Sequence, residues 1–505
     1  MNTLTEWMAV GQDNATCLSA TGAKPLSYQG LRRLAGTVQT SLNAVGIGRN
    51  DRVAIVLPNG AEMATAFVTV AACCTSAPLN PAYRSDEFEF YLTDLNAKAL
   101  IVEAGSTSPA IEVAKKLGVS LLVLHPTPQE GAGSFTLDTS ARPSSVSTLA
   151  GQALPDDIAL VLHTSGTTSR PKIVPLTQRN VCASAQHIAA STQFTANDRG
   201  LNVMPLFHIH GLIAGILAPL SQGGEVHCTS GFNALKFFSQ MDDVKPTWYT
   251  AVPTMHQAIL SRATQNKEVI QRVPLRFIRS SSSSLPPQVL AELEATFHAP
   301  VIEAYGMTEA AHQMACNPLP PGHRKPGTVG IAAGPEVAIM NAEGQMMGVG
   351  ESGEIVIRGP NVTPGYENND KANAEAFTHG WFRTGDQGVI DAEGYISITG
   401  RLKEIINRGG EKISPREIDE ILMDHPSVGQ VVCFGIPHEK LGEEVGAAVV
   451  LREGHSASEK ELRDHVASRV ADFKVPRKIL LLDEIPKGAT GKLQRIGMAQ
   501  KLGLA

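Results

Sequence analysis

The chain has 505 residues, 43% hydrophobic and 18% charged, with 43 basic against 49 acidic side chains and a net charge of −6. Neither sign dominates, which excludes the electrostatic footprint of a nucleic-acid or anionic-membrane binder. At about 150 residues per domain the length holds about three core-sized units, enough for a large α/β body with an appended module.

The first residues, MNTLTEWMAVGQD, lack a basic region followed by an apolar run, so no signal peptide is expected there. The aliphatic runs Val53 to Leu57, Ala99 to Val102 and Leu121 to Leu124 alternate with longer helical patterns. That alternation predicts α/β layers with buried strands. Between the first two lies the most apolar stretch, Met63 to Leu79, which is interrupted by Thr65, Thr69, Thr75, Ser76 and Pro78. It falls short of the roughly 20 apolar residues of a membrane span. The Ser-, Pro- and Gly-rich stretch 127–152 reads as surface loop, because apolar residues resume at Ile158. Seven scattered cysteines, at 17, 73, 74, 182, 228, 316 and 433, show no metal or redox spacing and are expected to be reduced thiols of a cytoplasmic protein.

Ile158 to Leu162 is a predicted strand that runs into His163-Thr164-Ser165-Gly166-Thr167-Thr168-Ser169-Arg170-Pro171-Lys172. Hydroxyls and backbone N–H groups there suit phosphate oxygens, Gly166 allows close approach, and Lys172 supplies charge. The spacing is not G-x-x-x-x-G-K-[ST], and taken alone the segment also reads as a Ser/Thr-rich turn. Farther on, Tyr305-Gly306-Met307-Thr308-Glu309 joins an aromatic suited to a nucleobase to a carboxylate suited to magnesium. Asp386, in Trp381-Phe382-Arg383-Thr384-Gly385-Asp386, suits ribose hydroxyls, and Arg401 offers a cation; each of these also reads as a structural turn or ion pair.

After Gly400 the character changes to a charged crossing and a compact α+β pattern, placing a domain boundary between 1–400 and 401–505. Ser414, Pro415 and Glu417 predict a capping box at a helix start, and Ser458 with Glu461 predicts a second. Val431 to Ile436, Ala447 to Leu451 and Ile479 to Leu482 read as strands.

These segments, in this order, resemble the acyl-adenylate-forming superfamily of acyl-CoA synthetases, luciferases and peptide-synthetase adenylation domains. The likeness spans nearly the whole chain and extends to PKGATGK at 486–492. Within the superfamily, HTSGTTSRPKIVPLT, PLFHIHGL, TWYTAVPTMHQ, RFIRSSSSSLPP, EAYGMTEAAH, IRGPNVTPGY and INRGGEKISPREID resemble the oxalyl-CoA synthetases of plants and yeast. The resemblance implies a large multi-layer α/β adenylation domain and a small mobile α+β lid hinged near Lys403. It implies ATP, magnesium and coenzyme A as reaction partners, small-molecule substrates, a monomer or homodimer, and no nucleic acid or membrane.

By the same resemblance the nucleotide is held by Thr164, Ser165, Gly166, Thr167, Thr168, Lys172, Ser282, Glu303, Ala304, Tyr305, Gly306, Thr308, Asp386, Arg401 and Lys492. Lys492, Lys172, Thr308 and Glu309 are the implied catalytic residues, with Glu309 on magnesium. Arg408, Gly409 and Gly410 would line the coenzyme A tunnel. His208, His210, Arg279, Ser281 and His312 are polar where a fatty-acid pocket would be apolar, and could meet a short dicarboxylic acid. Equally, His208 could plug the pocket, His210 could be a core histidine, and Arg279 could sit in a surface ion pair. Oxalate is the implied acid, with malonate, another short acid or a medium-chain fatty acid as alternatives. Carrier-protein loading, a luciferase-like oxidation, or a catalytically dead nucleotide-binding protein are the rival activities. The chain departs from the superfamily at Ser169 and Ile173, where glycines are common, and at Ser281, where plant oxalyl-CoA synthetases are expected to have cysteine. Its last residues, KLGLA, are not an S-K-L-type peroxisomal address.

Overall fold

The computed structural model describes residues 1–164, 171–487 and 493–505. Strands buried on both faces need unbroken apolar runs, and the first such runs assemble one seven-stranded sheet. Its order is Phe135–Asp138, Ser120–Pro126, Ala99–Glu103, Arg52–Val56, Thr75–Pro78, Ile158–Thr164 and Lys172–Thr177. The middle is parallel and both edge pairings are antiparallel. A second sheet of nine strands runs Ile331–Ala332, His312–Cys316, Val301–Met307, Phe277–Ser281, Trp248–Ala251, Arg199–Asn202, Glu225–Cys228, Thr16–Ser19 and Leu26–Ser27. The helix Ala61–Ala71 is buried at every position except Glu62. It touches strands of both sheets and so is sandwiched between them, which explains why the most apolar stretch of the chain has no polar face.

An antiparallel five-stranded sheet follows, built from Glu336–Met340, Gly353–Arg358, Phe377–Thr378, Trp381–Ile390 and Ile396–Arg401. Beyond it, Ile406–Arg408, Glu411–Ile413, Val428–His438, Gly442–Leu451 and Lys478–Leu481 form a separate five-stranded sheet with helices Pro415–Met423 and Glu459–Ala467. A mixed α/β body with a small α+β unit is thus the architecture; two of the three predicted C-terminal strands fall inside observed ones, and the third, Ile479 to Leu482, overruns its strand Lys478–Leu481 by one residue. Among the described residues, no helix is long and apolar enough to cross a membrane.

Two local expectations are corrected. The stretch 127–152 is not all loop: Phe135–Asp138 adds an edge strand, because the Phe135 ring is buried and anchors it. The Pro415 helix starts where predicted, but its capping box does not form. The Ser414 hydroxyl donates instead to the Thr399 carbonyl, and Glu417 pairs with Lys474 at 2.8 Å. Tertiary partners outcompete the local cap. At Ser458 the serine half of the box forms, its oxygen accepting from the Glu461 N–H at 3.2 Å, while the Glu461 carboxylate lies 3.5 Å from His425.

Candidate active site

In open α/β sheets, ligands meet the carboxyl ends of the parallel strands. Three neighbouring strands of the nine-stranded sheet end here: Trp248–Ala251 with Thr250, Phe277–Ser281 with Arg279 and Ser281, and Val301–Met307 with the Tyr305-Gly306 segment. The backbone around them is constrained. Ser282 has φ 75°, Ala311 φ 46° and His312 φ 101°, values that non-glycine residues adopt only under surrounding constraint and that cluster at functional sites. Gly306 explains the close approach: a Cβ there would lie 1.7 Å from the His312 carbonyl oxygen. The segment His210–Leu217 winds as a π-helix, a form rare outside functional sites.

Thr164 ends one strand and pairs across the ladder with Lys172, which begins the next, so the two stand side by side at the end of that antiparallel pair. Behind them the His163 imidazole meets Asp94 at 3.1 Å, and burial lowers its pKa. The Lys172 ammonium lies 4.2 Å from the centre of the Tyr366 ring, a cation–π contact. The Tyr366 hydroxyl donates to Glu309 Oε1 at 2.8 Å. Glu309 sits in the short 3-10 turn Thr308–Ala310, where burial pushes its carboxyl above the usual range. The Tyr366 hydroxyl and the charges of Arg401 and Lys172 pull it back. Tyr305 donates to Asp386 Oδ2 at 2.5 Å, and Arg401 Nε donates to Asp386 Oδ1 at 3.0 Å. Asp386 and Arg401 are cross-strand partners, which fixes that pair. One cluster therefore joins Lys172, Glu309, Tyr305, Asp386 and Arg401.

Glu303, two residues before Tyr305 on the same strand, is buried. Its Oε1 accepts from the Leu285 N–H at 2.9 Å, and burial raises its carboxyl to about 7. It supports the Ser282–Leu285 turn through that bond. Ala304 offers its carbonyl to the Ser281 hydroxyl at 2.8 Å.

The acid-pocket candidates split. Arg279 is 1% exposed, which rules out a surface ion pair. Its Nη2 donates to His312 Nε2 at 3.1 Å and to Gln313 Oε1 at 3.2 Å, and Nη1 reaches His210 Nε2 at 3.4 Å. The His210 and His312 rings stack at 4.9 Å. His210 is a fully buried histidine that also meets Ser282 Oγ at 3.0 Å and Thr250 Oγ1 at 2.7 Å. His208 is half-buried, its Nδ1 3.5 Å from the His210 amide. In the C-terminal unit, Gly409 and Gly410 form the hairpin turn between Ile406–Arg408 and Glu411–Ile413 with φ 60° and 100°. Arg408 beside them pairs with Glu444 at 2.7 Å. Lys403 lies on the exposed turn between the last strand of the large body and this hairpin. Ser165, Gly166, Thr167, Thr168 and Lys492, with Ser169, lie outside the described residues.

Sequence reasoning missed Tyr366 and Gln313. Tyr366 closes the quoted run IRGPNVTPGY, but nothing in spacing marks it as the link between a cation and a carboxylate 57 residues upstream. The AMP-binding enzyme family matches residues 5–367, and its C-terminal domain matches 417–492.

The chain belongs to the AMP-binding enzyme family.

The likeness runs nearly end to end. The chain is 46% identical over 491 residues to the oxalate–CoA ligase of Arabidopsis thaliana, covering 96% of this chain and 95% of that one. It is 40% identical to the oxalate–CoA ligase of Saccharomyces cerevisiae, covering 97% and 94%. The ATP-bound crystal structure of MatB from Rhodopseudomonas palustris superposes with a TM-score of 0.89 at 28% identity over 99% of both chains. Membership in the family, with full-length likeness to CoA ligases, makes this chain an AMP-forming acid–CoA ligase whose substrates include ATP and coenzyme A.

Proposed function

We propose that the acid is oxalate, joined to coenzyme A through an oxalyl-adenylate. The observation that carries this reading is the buried Arg279 guanidinium with the His210 and His312 imidazoles around it, where an aliphatic acid would need apolar walls. Likeness to oxalate–CoA ligases supports it.

In the first half-reaction one carboxylate oxygen of the acid attacks the α-phosphorus of ATP, and the bond to the pyrophosphate oxygen breaks. Lys172, at the start of its strand, offsets charge on the phosphoryl oxygens. Asp386 accepts from the ribose hydroxyls with lone pairs that Tyr305 and Arg401 leave over, and those two donors hold its carboxylate in place. Tyr366 keeps Lys172 and Glu309 in register through its ring and its hydroxyl. Thr308 in the 3-10 turn, Gly306 in the strand before it and Ser282 after the neighbouring strand line the nucleotide side of the site.

Magnesium fits this donor set: such ions take one or two carboxylates and complete their shell with phosphate oxygens and water, and Glu309 is a buried carboxylate beside Thr308. When bound there it would neutralise charge between the phosphates. In the second half-reaction the coenzyme A sulfur attacks the acyl carbon, and AMP leaves with the bridging oxygen. Residues 401–505 act as a lid that turns about Lys403, withdraws Lys492 and brings the Arg408-Gly409-Gly410 turn to the pantetheine channel. The seven cysteines are all buried free thiols, in keeping with work in the reducing cytoplasm.

The test is coenzyme A-dependent pyrophosphate release with oxalate, malonate, acetate and octanoate. Oxalate is expected to give the highest kcat/KM; a preference for octanoate would overturn the pocket assignment.

A further inference from the structure

Residues 359–367, which form neither helix nor strand, run between the strand that carries Lys172 and the turn that carries Glu309 and His312. Thr363 grips both sides. Its N–H donates to the Glu309 carbonyl at 2.7 Å and its hydroxyl to the Pro175 carbonyl at 2.7 Å. The Glu367 N–H adds a bond to the Ile173 carbonyl at 3.1 Å.

Asn361 makes the tightest hold on the turn. It is fully buried, and its Nδ2 donates one proton to the Ala310 carbonyl at 2.8 Å and the other to the Gln313 carbonyl at 2.9 Å. Those carbonyls bracket Ala311 and His312, both held at positive φ. A carbonyl oxygen only accepts, so the nitrogen end of the amide must face the turn. Asn361 is itself held in place. Asn180, the third residue of the helix Gln178–Thr192, donates through Nδ2 to the Pro360 carbonyl at 2.7 Å and to the Val362 carbonyl at 3.0 Å, on either side of Asn361. Its Oδ1 accepts from the Thr177 N–H at 2.9 Å, at the end of the strand that Lys172 begins. Two side-chain amides thus stand in series between the Lys172 strand and the Glu309 turn, each spanning a pair of carbonyls. Among the described residues Asn361 Oδ1 meets no donor. Stability alone is better served by a buried side chain with both ends paired.

We propose that Asn361 is a positioning residue for adenylate formation: its amide holds the Glu309–Gln313 turn closed and so keeps the Glu309 carboxylate at the Tyr366 hydroxyl and near the Lys172 charge. This rests on the reading that Glu309 acts in adenylation. Without the two bonds the Ala310 and Gln313 carbonyls lose these donors, the turn opens, and the carboxylate one residue before Ala310 moves with it.

The test uses pyrophosphate–ATP exchange by the full-length protein, with the acid that the wild type turns over best. Asn361→Asp keeps the shape and removes the donors. The introduced carboxyl is buried and faces two oxygens, so it is held neutral up to a raised pKa. Neutral, it has one O–H for two carbonyls; ionised, it repels both. Its exchange rate, as a ratio to wild type at the same pH, is therefore expected to fall about tenfold or more between about pH 6 and about pH 8.5. Taking the ratio removes the titrations both proteins share, of Glu309 and His312 on the turn and of His187 on the helix. Denaturation at each pH separates positioning from folding, since the ratio should fall while the protein stays folded. Asn361→Ala, with neither donor, should lose about 30-fold in exchange at every pH, yet keep thioester formation from supplied acyl-adenylate within about threefold. Combined with Glu309→Gln it should exchange no more slowly than Glu309→Gln alone, because one acts through the other. A ratio that is flat with pH, a loss that follows the folded fraction, equal losses in both half-reactions, or effects that multiply in the double variant would each overturn the proposal. If Glu309→Gln exchanges at the wild-type rate, the reading of Glu309 fails, while the pH ratio of Asn361→Asp still decides whether the amide holds the turn. Should Asn361→Ala not fold, Asn361→Asp, isosteric with the wild type, carries both half-reaction measurements.

Discussion

Tyr366 does two jobs with two ends. Its ring faces the Lys172 ammonium and its hydroxyl supplies a donor to Glu309, so one side chain couples the phosphate cation to the buried carboxylate. Tyr366→Phe keeps the ring and removes the donor. Because burial already holds the Glu309 carboxyl high and the hydroxyl favours its ionised form, losing that hydroxyl raises it further. A group that must be ionised to act fails as pH falls through its pKa, so the acid limb of the adenylation pH–rate profile should move to higher pH. Pyrophosphate exchange near neutral pH should drop by about tenfold. An acid limb that stays in place would show that Glu309 does not need its charge. Lys172, Glu309, Asp386 and Arg401 were all legible as residue types in short motifs. Tyr366 was not, because the 57-residue separation from Glu309 is closed only by the fold.

At the scale of elements, the turn between Val301–Met307 and His312–Cys316 carries the geometry of the site. The chain reverses within five residues, passes through Ala311 and His312 at positive φ, and packs its own carbonyl against Gly306. Gly306→Ala would drive a methyl into the His312 backbone, where no side chain can move aside. It should cost at least about 2 kcal/mol in a denaturation measurement and displace His312 enough to abolish adenylate formation. A variant with near wild-type stability and activity would refute this account of the turn. Period and composition predicted the strands and the Pro415 helix start. They did not predict that Ser414 would bind Thr399 and Glu417 would bind Lys474 rather than each other. A capping box competes with every other partner the folded chain brings near, and sequence shows only the local contestant.

For the whole molecule, the question is how one pocket serves two reactions. The C-terminal unit meets the large body through an apolar cluster that spans both and through polar contacts such as Gln257 to the Gly429 carbonyl at 2.9 Å and Arg416 to the Ile398 carbonyl at 2.6 Å. Arg495, three residues beyond Lys492, bridges Asp419 and, at 3.4 Å, Glu404 in the crossing between the two units. The chain that follows the terminal lysine motif is thereby tied to the segment about which the lid is proposed to turn. Lys492→Ala should abolish adenylate formation yet leave thioester formation from supplied oxalyl-adenylate within about threefold of wild type, since the interaction it loses belongs to one half-reaction. Equal loss in both halves, measured by single-turnover kinetics, would reject the lid exchange.

The sequence by itself determined the layered α/β body, the C-terminal α+β unit, the order of the nucleotide motifs and, through the family resemblance those motifs carry, the adenylating chemistry. These are local matters of hydrophobic period, turn chemistry and residue type at short spacing, or of motif order, which needs no coordinates. Only the tertiary structure decided the surroundings of Arg279. A basic residue within FIRSS on a strand is as compatible with a surface ion pair as with a core, and its charge means something different in each. Packing put it under two imidazoles with no carboxylate paired to it among the described residues, and burial is a property of the whole fold rather than of any segment.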